Sequence, residues 1–343
     1  MRKLIAIFLC TIAFQADAAE CVGENLITRM SAAQQAEMRD ALTDIPYRHG
    51  LLWRADKGDM RVYLVGTYHF ADPRHALTME KVGPFVDDAE RLMVEAGPEE
   101  MAKLTEAMVT DLSILSITEG PTLPERLTPE QWTELSDVMR ARGMPPAMVS
   151  RLRPWYVAMM MGMSPCMLAQ AAEAGKVTGL DQMLIARAEE ASVPISALEP
   201  WDTVFSLFDE MTPQEEIEMI LGALPVAQYA DDYAATLIEA YFTQDVWQVW
   251  EFGRIDAYET SGLSRAQVDA QYDLAETKLM VQRNESWIAP LTKAATDAAA
   301  TDGYVVAGFG ALHLPGEKGV LQLLADAGWT ITPVEAPDYG ASN

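Results

Sequence analysis

The sequence predicts an α/β protein, of mixed α+β composition, with one central β-sheet built from both ends of the chain and a large helical insertion covering it. Three observations carry this. Near the start, the apolar runs "VYLVG" (62–66) and "RLMVEA" (91–96) flank a helical segment, the strand–helix–strand rhythm of an α/β layer. A matching unit closes the chain: "GYVVAGFG" (303–310), a helical pattern, then "WTITPVE" (329–335). Between them, from roughly 100 to 300, almost everything reads as helix.

Taken in order, "LLWRADKGDMRVYLVGTYH" (51–69) is a hairpin, because two apolar runs flank the turn-rich "ADKGD". Its second run is nearly continuous in apolar residues, as in a strand buried on both faces. Residues 78–90 are mostly helical and 91–96 form the next strand. Residues 128–143 open with Thr128 as cap, Pro129 in the first turn and Gln131 at the capping-box position, and close at Gly143. Residues 154–163 and 180–191 are further helices, and "VPISALE" (193–199) is a short strand. From about 202 to 300 Met, Leu and Trp recur at helical spacing. The methionine faces are read as core filler. The last third gives a strand over 303–310, a helix over 316–328 and a strand over 329–335.

The first 18 residues read as an export signal: Arg2 and Lys3, then the apolar "LIAIFLCTIAF", then the small residues "ADA". That run is short for a membrane span, and no later stretch reaches about 18 uninterrupted apolar residues. The expectation is a periplasmic or secreted protein with a signal peptide over 1–18 and a single domain over 19–343. Two cysteines then remain, Cys21 and Cys166, and an even count in an oxidising compartment predicts one disulfide. In the chain-entropy view such a long loop is worth roughly 4–5 kcal/mol. The formal net charge is −26. So acidic a surface repels nucleic acid and anionic headgroups, so neither is expected as a partner.

The chemistry centres on histidine, of which the chain has four. His69 stands three residues after Gly66 and His313 three residues after Gly310, each beyond a strand-like run. Ligands in α/β sheets bind beyond the carboxyl ends of parallel strands. If the two strands are neighbours, both imidazoles converge there, with the two glycines shaping the turns that release them. Glu95, ending its own strand, reaches the same rim. Two imidazoles and a carboxylate suit a divalent transition metal (Mn, Co or Zn) with open positions for water. Alternatively Glu95 stays off the metal as general base. His49 and His75 lack this context and are assigned to surface or loops. Other chemistries lack their signatures. There is no Gly-x-Ser-x-Gly and no His-Glu-x-x-His, and "GFGALH" has histidine where a dinucleotide fingerprint needs its third glycine.

These residues resemble a known family. "LLWRA" (51–55), "YLVGTYHF" (63–70), "RLMVEAG" (91–97), "TLPERLTPEQW" (122–132), "RLRPWYVAM" (151–159), "GLDQMLIARA" (179–188), "ALEP" (197–200) and "VVAGFGALHLPGEKGVLQLLADAGW" (305–329) are similar to TraB/GumN-type proteins, the group that includes the Tiki metalloproteases. The resemblance implies two related halves with a site between them, and a metal-dependent hydrolytic site made of His69, His313 and Glu95. It implies a peptide or protein substrate. It also marks Asp181 and Glu199 as second-tier candidates, although Asp181 is better placed to cap the helix that follows it. Arg153, with Arg151, could meet a substrate carboxylate or pair with the acidic surface. The function expected is thus an exported metal-dependent hydrolase, a peptidase. The alternative is a non-catalytic periplasmic binding protein for a metal, a metal complex or an export-system partner, motivated by the size of the helical insertion.

Overall fold

The computed structural model describes residues 23–174, 179–203, 205, 208 and 211–340. Residues 1–18, read above as an export signal, and Cys21 lie outside the described residues. Cys166 stands in the helix Pro165–Ala174.

The hairpin forms as expected. Gly58, at φ +59°, turns the chain between β1 (Leu52–Lys57) and β2 (Met60–Thr67), which pair antiparallel from Lys57↔Met60. Strand β2 then lies parallel to β5 (Val305–Gly310), in register from Val62↔Val305 to Thr67↔Gly310. The two Gly-x-x-His strands are therefore neighbours. On its other side β5 pairs parallel with β3 (Arg91–Val94), and β3 with β4 (Ile195–Ala197). Strand β6 (Thr330–Pro333) adds to β1, giving the order β4-β3-β5-β2-β1-β6. The long crossovers let β2, β5, β3 and β4 run parallel, whereas the tight turn makes β1 antiparallel to β2. All four parallel strands point their carboxyl ends at one rim.

Both faces are covered, which is why β5 is continuously apolar and buried. Helix α1 (His75–Asp87) and helix α3 (Leu180–Ala191) pack Val82, Val86, Leu180 and Leu184 against Leu92 and Val306. Helix α4 (Gln282–Ala299) and α5 (Val320–Asp326) pack Trp287, Leu291 and Leu321 against Phe309 and Leu64. Helix α2 (Pro98–Thr110), just after β3, buries none of its residues. The stretch 100–300 is thus interrupted: segments 123–161 and 217–227 build a separate helical core, between them the chain returns to the sheet with α3 and β4, and it comes back again with α4. In that separate core Met139, Met160 and Met161 are buried filler, while Met148 and Met159 face outward.

Several local expectations are corrected. The helix read at 78–90 starts earlier, at His75, and that at 316–328 shortens to Val320–Asp326. Gly66 does not turn the chain; it lies inside β2. A Cβ there would stand 2.6 Å from Leu314 Cδ1 and 3.1 Å from the Ala311 Cα. Its role is to let the segment after β5 pass close over β2. Gly66→Ala is expected to cost about 1–3 kcal/mol by overpacking, read as a lower urea midpoint.

Candidate functional site

Each of the four parallel strands delivers one functional side chain just beyond its carboxyl end. His69 follows β2, Glu95 follows β3, Glu199 follows β4, and His313 follows β5 after a single 3₁₀ turn, Ala311–His313. Gly310 shows how closely three of them meet. A Cβ built on it would lie 3.2 Å from Glu95 Oε1, 3.6 Å from His313 Cδ2 and 3.6 Å from His69 Nε2. Here too the glycine supplies room rather than a sharp turn. The backbone N–H of Gly310 donates to Glu95 Oε1 at 2.5 Å.

The two imidazoles are oriented by different partners. His69 Nδ1–H donates to Asp181 Oδ2 at 2.8 Å, and Thr67 Oγ donates to the other oxygen of that carboxylate. Asp181 therefore does not cap α3, whose N-cap is Gly179; its side chain turns back to hold His69. Gly179 packs so tightly on the Tyr68–His69 backbone that a Cβ would overlap the His69 carbonyl, and Leu180 N–H donates to the Tyr68 carbonyl at 2.9 Å. The His69 ring stays 58% exposed, so the site is open on this side. Surrounding protein lowers its basicity, but the bond to Asp181, that carboxylate's charge and the charge of Glu95 outweigh this and raise its pKa to about 9.

His313 is buried instead. Asn284 Nδ2 donates to the Lys318 carbonyl at 2.8 Å, which turns Asn284 Oδ1 toward the ring, and His313 Nδ1–H donates to it at 2.6 Å. Burial pushes the His313 pKa down to about 4, so the ring is neutral near pH 7 with its lone pair on Nε2.

The residue that joins these groups is Arg283 on α4, which the sequence reading missed. Its Nη2 donates to Glu95 Oε2 at 2.6 Å and to Glu199 Oε1 at 2.8 Å, and its Nε to Glu199 Oε2 at 2.9 Å. Its Nη1 faces His313 Nε2 at 3.2 Å. Trp287 Nε1 adds a bond to Glu199 at 3.2 Å. Burial alone would raise the pKa of Glu95; the positive neighbours His313, Arg283 and His69, with the Gly310 N–H, bring it down to about 2. His313 is itself neutral above about 4. At neutral pH the charges that hold Glu95 ionised are therefore those of Arg283 and of protonated His69.

Two other residues fall elsewhere. Arg153 pairs with Glu216 at 3.7 Å in the separate helical layer, the surface pairing weighed for it. His75, assigned to surface or loop, is instead fully buried among Tyr68, Tyr241 and Phe242. Its Nε2–H donates to the Phe70 carbonyl at 3.0 Å, bracing the loop that carries His69.

The donor set can be tested for a metal. Each imidazole has Nδ1 committed to an oxygen, the arrangement that leaves Nε2 to coordinate a cation. With the Glu95 carboxylate this suits Zn, Co or Mn. Among the described residues no three His, Cys, Asp or Glu side chains are already closed into a ligand set. The donors fit in kind, and the Arg283 guanidinium occupies two of them, Glu95 and His313.

The model of the TraB/PrgY/gumN family matches residues 51–333. Comparison with curated proteins and with solved structures found no match.

Proposed function

Because the chain belongs to the TraB/PrgY/gumN family, we propose that it is a metal-dependent hydrolase acting on peptide bonds at the rim formed by His69, Glu95 and His313. One observation carries this reading: both Gly-x-x-His imidazoles and the glutamate surround Gly310. His69 Nε2, His313 Nε2 and Glu95 would hold the ion, which when bound supplies Lewis-acid polarisation and a more acidic water. Glu95, ionised down to about pH 2, is better suited to holding positive charge than to acting as general base, whose pKa should lie near the working pH. Asp181 and Asn284 fix the tautomers. Arg283, anchored by Glu199, sets the position of Glu95.

The test is elemental analysis of purified protein. About one Mn, Co or Zn per chain is expected, and His69→Ala or His313→Ala should lower the content at least tenfold. Unchanged content in both variants refutes the metal. The non-catalytic alternative has one observation in its favour, the guanidinium seated among the donors. Peptide turnover by wild type but not by Glu95→Gln rejects that alternative. We further propose that the protein is exported, periplasmic or secreted, after removal of 1–18, with Cys21 bridged to Cys166. Intact mass with and without reductant checks both. Among the described residues no helix is long and apolar enough to cross a membrane.

A further inference from the structure

Among the described residues strand β4 ends the sheet, with β3 as its one strand neighbour. The ladder decides which of its backbone groups are free. The Pro194 carbonyl accepts from Leu92 N–H at 2.9 Å, and Leu198 N–H donates to the Val94 carbonyl at 2.7 Å. By alternation the N–H and C=O of Ser196 also face β3, and those of Ile195 and Ala197 point away from the sheet. They do not point into a packed layer. A groove of about 450 Å³ runs along residues 195–200, with residues 97–100 as its other wall. Both walls are continuous with the site: one begins two residues after Glu95, and the other contains Glu199.

An open strand edge offers alternating donors and acceptors at a repeat that an extended polypeptide matches. The lining carries three carboxylates, Glu99, Glu100 and Glu199, and no cationic side chain. Glu199 is neutralised by Arg283 and Glu99 pairs with Lys103 at 2.7 Å, which leaves Glu100, accepting from Gly97 N–H at 3.2 Å, to face the groove. We propose that this groove docks an extended, basic peptide segment as an added strand beside β4, and so delivers the adjoining peptide bond to the rim. The proposal rests on the hydrolase reading for its destination, but docking itself needs neither metal nor turnover. Ile195 and Ala197 supply the main-chain bonds. Glu100, in a chain of net charge −26, supplies the preference for Lys and Arg, in a direction that rising salt weakens.

The experiment uses the full-length chain carrying Glu95→Gln, so that bound peptide is not consumed. The probe is a fluorescein-labelled heptapeptide, Lys-Thr-Val-Lys-Val-Thr-Lys, followed by fluorescence anisotropy. Its acidic counterpart, with Glu for each Lys, should bind at least tenfold more weakly. Single N-methylation along the basic peptide should weaken binding about tenfold at every second residue and leave the intervening ones within twofold, because only alternate N–H groups face β4. Ala197→Pro removes an outward N–H and spares the β3 ladder; it should weaken binding about tenfold while circular dichroism and Tm match the parent. Absence of binding, an N-methyl profile without the two-residue period, or unchanged affinity in folded Ala197→Pro protein would each overturn the proposal. Should binding hold while wild type releases no product from the peptide, the groove stands and the hydrolase reading falls. Cleavage without the two-residue period gives the converse.

Discussion

Arg283→Met is expected to destabilise the metal-free protein by about 3–5 kcal/mol, the range for removing one partner of a buried ion pair. Glu95, Glu199 and His313 each lose a contact at once. Arg283, Glu95 and Glu199 are each between 13% and 17% exposed, so water replaces the guanidinium poorly. The loss should depend on pH in a defined direction. In the parent, Glu95 is held near pKa 2 instead of its ordinary 4.5. A carboxyl with a depressed folded pKa contributes stability above about pH 4.5 and loses it as the pH falls toward 2. Methionine removes the guanidinium's share of this hold and leaves that of His69 and the Gly310 N–H, so parent and variant should differ most near neutral pH and converge on acidification. Urea unfolding at pH 7, 4 and 3 reads it. An unchanged midpoint at pH 7 would mean that the guanidinium carries no weight in the fold. Added Zn or Mn should restore part of the loss, because a cation can take the place of the guanidinium beside Glu95.

Asp181→Asn is expected to release His69. The amide keeps a hydrogen-bonding oxygen but carries no charge, so two of the three influences that raise His69, the ionic hydrogen bond and the Asp181 charge, both weaken while that of Glu95 stays. The His69 pKa should fall from about 9 toward the ordinary 6.5. Proton NMR can follow this with little overlap, because the chain holds only four histidines. The sign also fixes the effect on stability. A histidine with a raised folded pKa stabilises fully below about 6.5 and ceases to do so as the pH climbs through 9, so this dependence should flatten in the variant. Metal affinity and peptide turnover should drop 10- to 100-fold, the usual effect of removing the group that orients a ligand histidine. If His69 still titrates near 9, Asp181 does not govern it.

What the sequence revealed, and what it concealed, has physical causes. Strands β2 and β5 were legible because burial on both faces leaves continuous apolar runs, and each ended in the same Gly-x-x-His pattern. The capping box at Thr128–Gln131 was legible because capping is local chemistry. Asp181 was misread for a related reason. An acidic residue at a helix start satisfies the local rule, and only the long-range approach of Thr67 and His69 redirects it. Arg283 left no mark at all. In an amphipathic helix an arginine reads as part of the solvated face, and its inward course depends on Glu95 and Glu199, 188 and 84 residues away. His75 follows a short polar loop, and its burial comes from Tyr241 and Phe242 of a distant helix.

The placement of β5 has a consequence for how the molecule matures. Among the described residues this strand is the only bridge between β3 and β2 in the sheet. A chain emerging from synthesis carries His69, Glu95 and Glu199 long before residues 305–310 arrive to join them. Until residues 305–310 are in place, the described strands form two unconnected ribbons and the rim does not exist. Truncation before Val305 should therefore leave His69, Glu95 and Glu199 unassembled however well the helical layer folds.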